Sequence, residues 1–263
     1  MKKHGIKYGE LRTINSKNFV FWSDEEVSEF SNKIKGSGIE IVAAATPLFK
    51  WYSSPDNMEI KHDNFGFNPR LSPIEKKAVI IRTIEIANML KIPRLRIFSE
   101  LGNKYNYGKI FANNELLKFT LIEAAKHNID ILVENEPVCN LRKKQDLMEL
   151  VANNSTTNLK IWLDIANIIE QNENIDRFFI NKIKNRIGYI HIKNFVFDDG
   201  IKEYVAIKDG NIDYKKILSL LKLYCSNCNI SVETHAKSDN KITFSEKSLE
   251  YLKDIIHKSE VSR

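Results

Sequence analysis

The stretch Gly188-Tyr-Ile-His-Ile-Lys-Asn194 sets one imidazole and one ammonium inside an apolar, β-prone run. A strand this hydrophobic reads as buried on both faces, as in a parallel sheet, so His191 and Lys193 each need a partner or a function. Residues two apart on a strand point to the same face, and the two therefore look in one direction. Three other apolar runs close on a lone acid: Ile131-Leu-Val-Glu134, Ile161-Trp-Leu-Asp164 and Ile230-Ser-Val-Glu233. Two glutamates, one aspartate and one histidine, each closing its own strand, form an oxygen and nitrogen ligand set suited to a divalent ion.

The chain around these strands alternates strand and helix. Ile6–Arg12 reads as a short strand. Ser23-Asp-Glu-Glu26 is a capping box that opens a helix stopped at Gly36 to Gly38. Gly38–Ala45 is the next strand. The long segment from Thr46 to Leu71 that follows carries Phe49, Trp51, Tyr52, Phe65 and Phe67, a composition suited either to a lid over a ligand or to a loop anchored by its own aromatics. Ser72-Pro-Ile-Glu75 combines a second capping box with proline at the first helical position, and that helix runs to about Lys91. Strand Arg94–Phe98, a loop holding Glu100, Tyr105 and Tyr107, and a helix from Asn114 to His127 come next. Strand Asn128–Glu134, helix Arg142–Asn153, strand Asn158–Asp164 and helix Glu173–Asn185 then lead to the strand of His191. A loop from Asn194 to Asn211, helix Asp213–Tyr224, strand Asn229–Glu233 and a helix capped by Thr243-Phe-Ser-Glu246 complete the chain.

Such alternation implies a parallel sheet. The reading yields seven strands, one fewer than a (β/α) barrel of typical length requires. We therefore expect an α/β protein, a TIM barrel lacking its first βα unit, in one domain spanning 1–263. In a barrel, ligands at the C-terminal ends of successive strands converge on one face. Any one of these acids alone is weak evidence, because an acid after a strand is most often a helix N-cap; four in step are much stronger.

Composition narrows the function classes. Of 263 residues 43% are hydrophobic, enough for one large core, and the net charge is 40 − 34 = +6. The lysines are scattered rather than blocked, which reads as a solvated surface and not as a nucleic-acid footprint. Three cysteines and no apolar leader predict reduced thiols and a cytoplasmic protein. Cys225-x-x-Cys228 has no second pair to complete a zinc site, and no apolar run is long enough to cross a membrane.

The motifs Tyr8-Gly-Glu-Leu-Arg12, Ala45-Thr-Pro-Leu-Phe-Lys50, Leu132-Val-Glu-Asn135, Asp164-Ile-Ala-Asn167, His191-Ile-Lys193, Asp209-Gly-Asn-Ile-Asp213 and Ser231-Val-Glu-Thr-His235 together resemble the xylose isomerase-like TIM barrels, the sugar isomerase and epimerase superfamily. The resemblance implies a single divalent cation, Mn²⁺, Mg²⁺ or Co²⁺, held by Glu134, Asp164, His191 and Glu233, and a small sugar or polyol as substrate. It also implies that Glu134 and Glu233 remove and return a proton. Lys193 either stabilises a developing oxyanion or pairs with a ligand carboxylate. Glu10, Arg12, Trp51, Glu100 and His235 are the further candidates for substrate contact, with Arg12 and Glu10 equally able to pair with each other. Asn167 joins them; it stands where many relatives carry histidine. With six histidines in all, the zinc-cluster endonuclease branch of the superfamily is not expected.

Three functions follow: a metal-dependent isomerase or epimerase acting through an enediolate, a dehydratase of inosose or dehydroshikimate type on the same site, or a non-catalytic binding protein derived from an incomplete barrel. A gap at the missing strand, between Tyr8–Arg12 and Asn229–Glu233, would leave open edges, so that the chain either self-associates as a homo-oligomer or is less stable than a complete barrel.

Overall fold

The computed structural model describes residues 1–52, 68–225, 228–235 and 240–261; Phe65 and Phe67 lie outside them. The main sheet has seven strands: β1 (Tyr8–Leu11), β4 (Glu40–Ala45), β5 (Arg94–Ile97), β6 (Asp130–Glu134), β7 (Leu159–Asp164), β8 (Ile187–Ile192) and β11 (Asn229–Val232), hydrogen-bonded in that order. Two short pairs lie outside it: β2 (Thr13–Ile14) with β3 (Lys17–Asn18), and β9 (Asn194–Asp198) with β10 (Ile201–Val205). Among the described residues the count of seven strands in this sheet agrees with the sequence reading, and β1 and β11 stand at the two ends of the order.

The chain divides into two compact units, Met1–Trp162 and Leu163–Arg263, with the division inside β7. In the first unit β1, β4, β5, β6 and β7 pair in parallel. Helices α1 (Asp24–Lys35), α2 (Pro73–Met89), α3 (Tyr107–Ala112), α4 (Glu115–Ala125) and α5 (Lys144–Ala152) fill the connections. Both capping boxes form: the Ser23 and Ser72 hydroxyls accept from the Glu26 and Glu75 amides, and each glutamate accepts from the serine amide in return. Three acids in the first turn of α1 and Lys33 and Lys35 in its last match the helix dipole. Ala43, Ala44, Ala45, Leu95, Ile97, Ile131, Leu132 and Val133 are completely buried.

The second unit holds β8 and β11, parallel in the register Ser231 opposite His191. With them come α6 (Ile165–Glu170), α7 (Arg177–Ile183), α8 (Tyr214–Tyr224) and α9 (Lys241–Val261). Its core includes Leu163, Ile165, Phe179, Ile180, Ile183, Ile190 and Ile192.

Four expectations are corrected. Tyr107 belongs not to a loop but to α3, and Asp164 opens α6 at once; helices of six residues are too short to show a 3.6-residue period. The segment 194–211 is not a plain loop, since Asp198-Asp-Gly-Ile201 turns the hairpin of β9 and β10. Asp199 and Gly200 carry φ of 46° and 78° there, as such tight turns demand. Thr243 lies inside α9 rather than at its cap, because the helix is already running at Lys241.

Candidate active site

In the second unit three residues at strand ends, Asp164, His191 and Glu233, and the tyrosine Tyr214 assemble around Lys193. β7 ends on Asp164, whose Oδ1 accepts the Asn167 amide at 2.8 Å and so caps α6. The ordinary role of an acid after a strand is thus filled by one oxygen. The other, Oδ2, lies 2.8 Å from Lys193 Nζ, with both side chains buried. Asn167 is itself 2% exposed.

His191, next to last in β8, is 1% exposed, its ring edge-on to Tyr189. Glu233 follows β11, and its amide extends the ladder by donating to Ile192 O at 3.0 Å. Glu233 Oε2 then receives three groups: Lys193 Nζ at 2.8 Å, His235 Nε2 at 2.9 Å and His191 Nδ1 at 3.8 Å. Burial pushes the Glu233 carboxyl up, but Lys193, His191 and His235 outweigh it and hold the group well below the usual carboxylate range. His191 and Lys193, two apart on one strand, both face this carboxylate.

The surroundings fix Lys193 by its backbone. The Tyr214 hydroxyl accepts the Lys193 amide at 3.2 Å and donates to the Lys193 carbonyl at 2.6 Å. Tyr214 is the first residue of α8, fully buried, and desolvation raises its pKa. Next to it, Asn194 gathers the loop that returns to α8, donating to the Ile207 and Ile212 carbonyls and accepting the Ile212 amide. Gly210 packs so closely there that a Cβ would sit 2.2 Å from Asn194 Cγ. His235 stacks on Tyr204 of β10, with ring centroids 4.6 Å apart.

In the first unit, Glu134 closes β6 and pairs with Arg96 of β5, Nη1 to Oε2 at 2.8 Å, both side chains 3% exposed. Arg96 Nη2 donates to Thr46 O at 3.2 Å, the Thr46 hydroxyl returns a bond to Arg96 O at 2.6 Å, and the guanidinium lies over the Phe98 ring at 4.5 Å. Lys50 Nζ, also over Phe98, pairs with Glu136 at 3.1 Å.

The rim above is sewn together by its backbone. Phe98, Glu100 and Leu101 donate to the Leu48, Phe49 and Trp51 carbonyls. The Asn140 side chain reaches the Ser99 and Glu100 carbonyls and the Lys104 amide. Phe49 and Glu100 hold φ of 62° and 64°, a conformation that costs a non-glycine residue free energy and persists only where the surroundings over-determine it.

The other candidates from the sequence take these places. Trp51 is completely buried against Phe49. Glu100 is 8% exposed and accepts the Tyr107 hydroxyl at 2.5 Å. Glu10, in β1, and Arg12, just beyond it, are half-buried. Arg96, Tyr214, Asn194 and Asn140 were not anticipated. For Arg96 a signal existed: a cation inside the apolar strand Arg94-Leu-Arg-Ile97 raises the same question as Lys193.

A sequence model of the xylose isomerase-like TIM barrel family matches residues 1–255. The chain belongs to that family. Among curated proteins no sequence relative was found. Among solved structures, the chain is similar to the IolI protein with a bound zinc atom, at 16% identity and a TM-score of 0.75, over 98% of this chain and 90% of that one. It is also similar to a probable 3-DHS dehydratase, AsbF of Bacillus anthracis, at 17% identity and a TM-score of 0.72, over 95% and 90% of the two chains. The 3-keto-D-glucoside 4-epimerase YcjR of E. coli shares 14% identity at a TM-score of 0.70, over 96% and 91%. At these identities the likeness concerns the fold. No helix among the described residues is long and apolar enough to cross a membrane.

Proposed function

We propose that the protein is a divalent-metal-dependent isomerase or epimerase of small sugars or keto-polyols, with Glu134, Asp164, His191 and Glu233 as the metal ligands. One observation carries this reading. Asp164 and Glu233 already share a single cation, the Lys193 ammonium, at 2.8 Å from each, so two of the four candidate ligands are spaced and charged to hold positive charge at a common point. The donor chemistry fits as well, since three carboxylates and one imidazole suit Mn²⁺, Mg²⁺ or Co²⁺. Pairing of Glu134 opposite Trp162 in the β6–β7 register supports the fourth ligand, because Asp164 closes the same strand two residues further on.

A bound divalent ion would polarise two adjacent substrate oxygens and acidify the carbon between them. Glu134 takes that proton, and Glu233 returns one to the resulting enediolate from the other side. His235, held by Glu233 and Tyr204, binds a substrate hydroxyl, and Lys193 offers its ammonium to developing negative charge. Glu10, Arg12, Trp51, Glu100 and Asn167 complete the proposed substrate surroundings. The similarity to a probable 3-DHS dehydratase supports a second reading, in which the same enolate expels a β-hydroxyl. The same reading keeps the protein in the cytosol, where its three cysteines, none in a disulfide, stay reduced.

A panel of keto-sugars and inososes assayed with Mn²⁺ in deuterated water tests the proposal. An isomerase or epimerase washes solvent deuterium into its product, whereas a dehydratase product has lost the mass of water. Mn²⁺ binding without turnover or exchange on any member of the panel would overturn both catalytic readings in favour of a non-catalytic barrel.

A further inference from the structure

Lys193 stands where a cation bound by Asp164 and Glu233 would stand. Its side chain is 5% exposed, and its ammonium is 2.8 Å from an oxygen of each carboxylate. That oxygen of Asp164, Oδ2, is the readier one for a cation, because Oδ1 already accepts the Asn167 amide at the start of α6. The ammonium and a divalent ion cannot both occupy bonding distance of the same two oxygens, since like charges that close repel strongly where water is excluded. The Lys193 backbone is pinned on both its amide and its carbonyl by the Tyr214 hydroxyl. Only the four-carbon stem is left to move, and it is a flexible one.

We propose that Lys193 is an exchangeable counter-cation of this site. It holds Asp164 and Glu233 together while no divalent ion is bound, and metal binding drives its ammonium off both carboxylates toward the substrate. The inference rests on the metal reading above and adds to it. Lys193 competes with the metal for its ligands, keeps the metal-free site from flying apart by like-charge repulsion, and becomes available for negative charge on the substrate only in the loaded protein. Its two alternatives at the level of sequence, carboxylate partner and oxyanion partner, are then two states of one side chain.

Two measurements on the full chain test it. In the first, Mn²⁺ affinity is determined by chelator competition for the wild type, Lys193→Met and Lys193→Gln, the glutamine variant serving if the methionine one does not fold. Both are expected to bind Mn²⁺ at least about tenfold more tightly, a difference of roughly 1.4 kcal/mol, and to melt lower than the wild type when metal-free but to recover on adding Mn²⁺. In the second, the Lys193 ammonium resonance is followed by ¹⁵N NMR during titration with Mg²⁺, with Lys193→Arg used to assign the peak. A signal that shifts or is lost to solvent exchange in step with Mg²⁺ saturation supports displacement, a response that merely removing a nearby positive charge would not produce. An unchanged Lys193 signal at saturating Mg²⁺, or an affinity in the variants equal to or weaker than wild type, would overturn the counter-cation role while leaving the metal site intact. Failure of the wild type and both variants to bind any Mn²⁺ would overturn the metal reading itself, and this inference with it.

Discussion

The glutamates that end β6 and follow β11 are both paired with a cation, but the pairings are of different kinds. Glu134 meets a guanidinium whose planar fork also bonds the Thr46 carbonyl and rests on Phe98. Glu233 meets an ammonium on a flexible stem that it shares with Asp164, and it remains 16% exposed. A buried arginine with a second hydrogen bond and an aromatic face beneath it has little freedom to leave. A lysine whose backbone is pinned and whose ammonium sits at the end of a flexible stem can exchange its carboxylate partners without disturbing the strand that carries it. The first arrangement therefore reads as a permanent orienting clamp on Glu134, and the second as a temporary partner for Glu233.

The largest effects expected from testing this contrast are on turnover. Glu134→Gln and Glu233→Gln each keep an oxygen ligand and lose the basic carboxylate. Each should lower kcat by about 10²–10⁴ while changing substrate affinity little; full activity in both at saturating metal would sink the proton-transfer roles. Replacing the clamp comes next. Arg96→Met leaves Glu134 buried without its cation and should cost about 3–5 kcal/mol in denaturant unfolding, a loss that Mn²⁺ restores only in part, because an ion on Glu134 does not replace the guanidinium's bond to Thr46 O. Recovery of Arg96→Met by Mn²⁺ as complete as that of Lys193→Met would erase the distinction between the two pairings.

His191→Ala removes an imidazole whose Nδ1 lies 3.8 Å from Glu233 Oε2. It should weaken Mn²⁺ binding by about 10–100-fold, at least the range that loss of a supporting residue around a metal produces, and isothermal titration would measure it. The smallest effect belongs to a control remote from both glutamates. Ser23→Ala removes the cap of α1 and should cost about 1 kcal/mol with no change in kcat; an altered kcat would mean that helix stability and catalysis are coupled in a way the two pairings do not explain.

The parts of this arrangement that could be read from the sequence are those written locally. A polar residue ending an apolar run marks a strand exit, and Glu134, Asp164 and Glu233 are of that kind, while His191 shows as a polar residue inside such a run. The boxes at Ser23 and Ser72 span four residues and form as written. What stayed hidden depends on partners far apart in the chain. Arg96 lies 38 residues before Glu134, and nothing between them announces the pair. That one ammonium serves both Asp164 and Glu233 is a matter of tertiary geometry. α3 and α6 were missed because one and a half turns carry no period, and the hairpin was missed although its Asp199-Gly200 turn was in plain sight.

The rim formed by the segments around Leu48, Ser99 and Asn140 bears on how this part of the molecule could be altered. Its backbones are tied to one another and hold two residues in left-handed conformations, so adding or deleting a residue in any one segment would pull apart the other two. Redesign would then have to proceed by exchanging side chains upon an unchanged frame, and grafting any one of these segments from another protein should yield insoluble protein before it yields an altered site.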